Sequence, residues 1–267
     1  MDRDTQTLLF PAAAPASLRA PRAALTRAAD AALDLIYPPH CCSCARPLPA
    51  GSNKALCQAC AERIRWITND CCQRCGDGVG LGLGVVSVCP SCRTFPPRFV
   101  EASAAAARYE EGPVRDLVLS VKFGRKIHVA HIVGNILAQR IATRALALAG
   151  TIVVPAPLAR SRSRERGFNQ AEEIARRIAS RLKLPLETRL LLKIRSTPEQ
   201  ARLSREKRRE NLVDAFACDP RVATRYAGRP VLLIDDVITT CATVSECART
   251  LHAADCGPVR AAAFARG

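Results

Sequence analysis

The stretch Val231-Leu-Leu-Ile-Asp-Asp-Val-Ile-Thr-Thr-Cys-Ala-Thr243 joins an apolar run to two adjacent carboxylates and a short hydroxyl-rich loop. Val231 to Ile234 have the pattern of a strand buried on both faces of a parallel sheet. Chemistry begins where that strand ends: Asp235 and Asp236 are hard oxygen donors suited to vicinal sugar hydroxyls, or to Mg2+ and its waters. Thr239, Thr240, Cys241, Ala242 and Thr243 then lead into a helix. Thr243 and Glu246 have the spacing of a capping box, with Val244, Ala248 and Leu251 on one face behind them. This predicts a helix start near Thr243, with its free amides turned towards an anion. As residues alone the stretch is either a ribose-phosphate site or a turn and helix cap. A Walker-type reading of the carboxylates lacks its partner, because no GxxxxGK[ST] occurs in the chain.

A second strand-to-helix junction lies upstream. Thr151-Ile-Val-Val154 ends at Pro155-Ala156-Pro157-Leu158, and an Arg-rich loop leads through Arg166-Gly-Phe-Asn-Gln170 into a helical apolar face at Ile174, Ala175, Ile178 and Leu182. Asn169 and Glu172 again have capping-box spacing. If the two strands are neighbours in one parallel sheet, both loops open at its carboxyl edge, where α/β folds bind ligands. Between the junctions, Thr197 to Asn211 is polar and basic. It is either a flap whose Arg205, Lys207, Arg208 and Arg209 close over a pyrophosphate, or a solvated amphipathic helix.

Ten of the fourteen cysteines fall between Cys41 and Cys92. Four CxxC pairs can be read there: Cys41 with Cys44, Cys57 with Cys60, Cys72 with Cys75, and Cys89 with Cys92. A CxxC turn delivers two sulfurs to one ion at about 2.3 Å, so eight thiolates predict two structural zinc ions. Sequential pairing, first with second and third with fourth, is the favoured arrangement; Cys42 and Cys71 are surplus. Trp66 is the only aromatic residue in this span, which supplies no stacking platform for nucleic acid.

The chain has 267 residues and 48% hydrophobic content, enough for one α/β domain and a smaller module. We expect an N-terminal arm with a short helix over 1–37, a double zinc ribbon over 38–98 and a sheet domain over 99–267. The formal charge of +16 is concentrated: residues 157–211 carry sixteen Lys and Arg against seven Asp and Glu, which suits polyphosphorylated ligands or nucleic acid. No run of eighteen apolar residues predicts a membrane span, and metal-type cysteines without a secretory signal predict a reducing cytoplasm.

The acidic stretch resembles the phosphoribosyltransferase signature, departing from it at Cys241, where that family has Gly. The chain as a whole resembles the competence protein F (ComF) family. That resemblance rests on the CxxC series after Tyr37-Pro-Pro, Ala107-Arg-Tyr109 with Gly112-Pro-Val-Arg115, Val121-Lys-Phe123, Val154-Pro-Ala-Pro157, Arg166-Gly-Phe-Asn-Gln170, Thr197 to Asn211 and the acidic-pair loop. It implies a type I phosphoribosyltransferase-like parallel sheet behind a double zinc ribbon. It also implies a site for phosphoribosyl pyrophosphate and Mg2+ in which Asp235 and Asp236 serve ribose and metal. Val237 and the Thr239 to Thr243 loop would then hold the 5′-phosphate. Pro155 to Leu158 would form the pyrophosphate loop, with Arg166 beside it, and Thr197 to Asn211 the flexible loop. The family is linked to DNA uptake. Two functional classes stay open: a Mg2+-dependent phosphoribosyltransferase-like protein tied to competence or nucleotide metabolism, and a non-catalytic adaptor for single-stranded DNA or competence-machinery proteins. The acceptor would sit under a hood for which Phe99 to Arg125 is the candidate.

Overall fold

The computed structural model describes residues 39–49, 55–80, 82–123, 126–159, 164, 167–197 and 205–267. The arm and short helix expected over 1–37 lie outside the described residues, as do Arg166 and residues 198–204 of the expected flap.

The core is a four-stranded parallel sheet. Its strands are β3 (Ala102–Arg108), β4 (Ile152–Pro155), β7 (Val231–Ile238) and β8 (Val259–Arg266), in the order β3-β8-β7-β4. The apolar run at Val231 is therefore an inner strand, and Ile152 to Pro155 pair with Val231 to Ile234 directly beside it. Because the strands are parallel, all four carboxyl ends reach one edge. Alternation divides their side chains between two cores. Val153, Leu232, Ile234, Ala262 and Phe264 enter one core. Ile152, Val154, Val231, Leu233, Ala261 and Ala263 enter the other.

The first core is closed by α3 (Pro113–Lys122), α4 (Ile127–Thr143) and α5 (Gln170–Leu182). The predicted face of α5 buries Ile174, Ala175 and Ile178. Gly134 lets α4 and α5 approach closely, since a Cβ there would lie 2.7 Å from the Arg177 Cβ. The second core is closed by α8 (Ala242–Ala253) together with the antiparallel pair β5 (Leu191–Lys193) and β6 (Phe216–Cys218). The segment read as flap or helix runs between β5 and β6. Apart from Thr197, its described part lies in the helix α6 (Arg205–Leu212); the short α7 (Pro220–Ala223) follows β6.

The cysteine module contributes α1 (Gln58–Glu62), α2 (Pro90–Thr94) and the two-residue strands β1 (Cys71–Cys72) and β2 (Val85–Val86). It covers the otherwise open edge of β3. Ile67 N donates to Ala106 O at 2.8 Å, Arg108 N to Arg65 O at 2.9 Å and Ser103 N to Gln73 O at 2.9 Å. An unpaired edge strand would invite association, and the module removes that edge. Gly76 permits the approach: at φ +73 it lies against the Ala104 backbone, where a Cβ would sit 3.0 Å away.

Candidate functional site

The carboxyl ends of β3 and β7 frame a cavity of about 380 Å³ lined by Asp235, Val237, Thr239 to Thr243, Tyr109, Lys122 and Arg208, among others. Asp235 faces it from the strand end, and its Oδ1 accepts a 2.8 Å hydrogen bond from the Asp236 N–H. Burial pushes the Asp235 carboxyl well above the usual carboxylate range, and the charge of Asp236 adds to the shift. Asp236 points the opposite way along the pleat and is only 6% exposed. Its Oδ2 has no hydrogen bond of good geometry, yet the Lys122 ammonium lies 2.7 Å from it as an ion pair. Burial works against the charge on Lys122, but Asp236, then Asp235, hold its pKa above the ordinary value.

The loop after β7 turns into α8 through Cys241, which adopts φ 61 and ψ 7. That left-handed conformation explains a preference for glycine at this position, and here a buried Cys accepts it. The helix begins at Ala242, so the start predicted near Thr243 falls inside it. The predicted capping box is not formed, because Glu246 instead accepts from Asp214 N at 2.9 Å and pairs with Arg249 at 2.6 Å. At the second junction Asn169 is the N-cap of α5, accepting from Ala171 N at 3.1 Å. Its Nδ2 donates to Ala156 O at 3.0 Å, pinning the Pro155 to Leu158 loop to the helix start. Glu172 turns to Arg176 rather than back to the cap.

Pro155, Ala156, Pro157 and Leu158 reach the same sheet edge one strand away but do not line the cavity. Of the basic helix residues, Arg208 closes the cavity by donating to Thr239 Oγ1 at 3.1 Å. Arg209 turns away, donating to Pro96 O at 3.0 Å and lying 5.4 Å from the Phe95 ring centroid. Lys207 is exposed, and Arg205 opens the helix. Tyr109 and Lys122 had no role assigned from sequence. Their signal was their place in Ala107-Arg-Tyr109 and Val121-Lys-Phe123, motifs that lie within the expected hood.

Beneath this edge sits one of two cysteine tetrads. Cys41, Cys44, Cys57 and Cys60 form the first, and Cys72, Cys75, Cys89 and Cys92 the second; within each, the four sulfurs lie within 4.8 Å of one another. The pairing is sequential, and both sets fit a structural zinc ion. Four thiolates this close repel unless a cation joins them. In the second tetrad the hydrogen bond from Cys75 pulls the Cys72 thiol down to about 4, and that same contact pushes Cys75 far up. The surplus sulfurs stand apart: Cys71 accepts from Arg144 at 3.0 Å and Cys42 from Lys126 at 3.8 Å. Among the described residues no helix is long and apolar enough to cross a membrane.

A double zinc ribbon domain model matches residues 32–94. The chain is 31% identical over 221 residues to the DNA utilization protein YhgH of Salmonella typhi, an alignment covering 81% of this chain and 92% of that one. The chain belongs to the ComF family. Other ComF relatives are competence protein F of Haemophilus influenzae, 27% identical over 80% of this chain and 90% of that one, and competence protein ComFC of Bacillus subtilis, 26% identical over 74% and 78%. The ComF architecture here is thus a double zinc ribbon docked along the edge of a parallel α/β sheet.

Proposed function

We propose that the cavity at the carboxyl edge binds phosphoribosyl pyrophosphate and that the protein acts as a phosphoribosyltransferase-like member of its family in a process tied to DNA uptake or nucleotide supply. The observation that supports this reading is the meeting, in one cavity, of Asp235 at the end of β7 with the loop Thr239 to Thr243 at the start of α8, and of Lys122, which links the cavity to the adjacent Asp236. A sugar phosphate needs both: acceptors for its vicinal hydroxyls, and amides with a helix N-terminus for its phosphate.

The donor set also suits Mg2+. Asp235 and Asp236 are oxygen ligands at one strand end, and Asp236 Oδ2 is a buried oxygen whose close partner is already a cation, the Lys122 ammonium at 2.7 Å. Mg2+ held there would neutralise charge on the pyrophosphate. The chain's own residues do the rest. Asp235 and Asp236 hold the ribose, while Val237, Thr239, Thr240, Cys241, Ala242 and Thr243 form the phosphate cradle. Arg208 closes the cavity. When the bond from C1 to pyrophosphate breaks, the electron pair leaves with the diphosphate, and an acceptor nucleophile bonds to C1 in its place. Fixed positive groups stabilise that transition state most, since charge on the leaving group grows as the bond breaks. Pro155 to Leu158 complete the pyrophosphate side from the adjacent strand.

Calorimetry with phosphoribosyl pyrophosphate and Mg2+ tests the assignment. The native chain is expected to bind and the Asp235→Asn/Asp236→Asn variant to lose binding; equal binding by both removes the assignment. The names of the relatives, DNA utilization and competence proteins, together with the net charge of +16, favour a second reading as an adaptor for single-stranded DNA. Oligonucleotide binding that falls steeply with salt supports it, and no binding at low salt excludes it.

A further inference from the structure

The pairing of Lys122 with Asp236 is the contact that the ribose-phosphate reading leaves without a role. Two adjacent carboxylates at a buried strand end repel each other, and a buried charge left unpaired is strongly destabilising. The chain answers this with a cation of its own. Lys122 is the last residue of α3, which follows β3, and it reaches across the strand ends to place Nζ 2.7 Å from Asp236 Oδ2. No hydrogen bond competes for that oxygen. The side chains of Lys122 and Asp236 are 23% and 9% exposed, so water screens the pair only weakly. Lys122 also lines the cavity, together with the helix start that would hold phosphate.

We propose that Lys122 is the resident cation of the acidic pair: in the free chain it occupies the charge position beside Asp236 that a divalent metal would take. Metal therefore enters together with its diphosphate ligand and not before it. This rests on the reading of the cavity as a phosphoribosyl pyrophosphate site. Lysine suits the role because it is a compact point charge on a flexible stem, able to exchange one anionic partner for another within a single cavity. Once metal occupies Asp236, the freed ammonium is in place for the diphosphate oxygens. The carboxylates thus never face bulk cations bare, and the cavity is kept for the metal complex of its ligand.

The test is the binding of Mn2+, as a stand-in for Mg2+, to the free full-length protein, followed by paramagnetic resonance. Native protein and Lys122→Arg are expected to bind Mn2+ weakly and alike. Lys122→Met is expected to bind it about tenfold or more tightly, the scale of one charged contact removed from a buried carboxylate. Lys122→Gln serves as a second uncharged variant should the Met variant fail to fold, and adding Asp236→Asn to either is expected to abolish the gain. Uncharged variants that bind Mn2+ no more tightly than native protein overturn the proposal. Binding of phosphoribosyl pyrophosphate with Mg2+ to native protein is measured beside it. A gain in Mn2+ affinity without binding of that ligand retires the ligand and keeps the resident cation. Ligand binding without the gain retires the resident cation alone.

Discussion

The two cysteine tetrads have the same ligands and nearly the same spacing, yet they pack into opposite faces of the sheet. The first lies with α3 and α4: Cys41 and Cys60 join the core that contains Val114, Leu117 and Phe264, and Ser43 donates to Asp116 of α3 at 2.7 Å. The second packs with Ile238, Cys241, Ala242 and Val244, the residues at which β7 becomes the candidate phosphate loop. Arg266 is a buried side chain that joins this tetrad, through Cys75, to that loop. Arg266, 5% exposed, donates to Ile238 O at 3.1 Å and also to Thr239 O and Gly267 O. Burial opposes its charge, but Cys241, Cys75 and Asp77 outweigh it and hold the guanidinium pKa above its ordinary value. One ribbon site thus braces a helical layer, and the other lies under the candidate ligand loop. Equivalent motifs in sequence acquire different roles through the surface they are docked on.

The largest test of this contrast replaces one ligand in each tetrad. Cys75→Ser is expected to weaken phosphoribosyl pyrophosphate binding about tenfold or more, on the scale of losing an outer support of a site, whereas Cys44→Ser lowers stability and leaves the affinity nearly unchanged. Calorimetry beside a melting curve separates the two effects, and equal loss of affinity in both variants breaks the contrast. Arg266→Met comes next. Removing buried charged hydrogen bonds to loop carbonyls is expected to cost about 1.5–3 kcal/mol in denaturant unfolding. It should also weaken ligand binding even with both tetrads loaded with zinc.

A smaller effect concerns the acids themselves. Because the folded-state pKa of Asp235 is raised, its contribution to stability is present below the ordinary carboxylate value and is lost as pH rises towards the folded value. Asp235→Asn is therefore expected to melt higher than native protein near about pH 7 to 8, with the difference shrinking towards about pH 4, where native Asp235 also becomes neutral. A variant less stable than native protein near neutral pH contradicts this. The smallest effect belongs to Cys241. Gly at φ 61 removes a left-handed penalty of about 1–2 kcal/mol but gives the unfolded chain more freedom, so Cys241→Gly is expected to gain under about 1 kcal/mol with ligand affinity retained or improved.

Much of this was legible in the sequence because the deciding signals are local. An apolar run ending in Asp235-Asp236 gives a buried strand, an Ile174 to Leu182 periodicity gives a helix, and CxxC pairs give two tetrads. What sequence missed depended on distant partners. The capping box at Thr243 failed because Asp214 and Arg249 claim Glu246, and because the left-handed Cys241 begins the helix earlier. Arg209 looked like a flap residue until the ribbon offered it Pro96 and Phe95. Lys122 stood only as part of Val121-Lys-Phe123 with no role of its own, since nothing near it in the chain announces Asp236 as its partner. Arg266, at the end of an apolar strand, gave no sign that it would lie beneath the loop.

The central claim is that the carboxyl edge of one sheet reads both ends of a single ligand, and this is tested most directly by comparing the binding of phosphoribosyl pyrophosphate, ribose 5-phosphate and pyrophosphate to the zinc-loaded native chain in Mg2+. The account predicts tight binding of the first and much weaker binding of each part. Equal affinity for ribose 5-phosphate, or no binding of phosphoribosyl pyrophosphate at all, would contradict it.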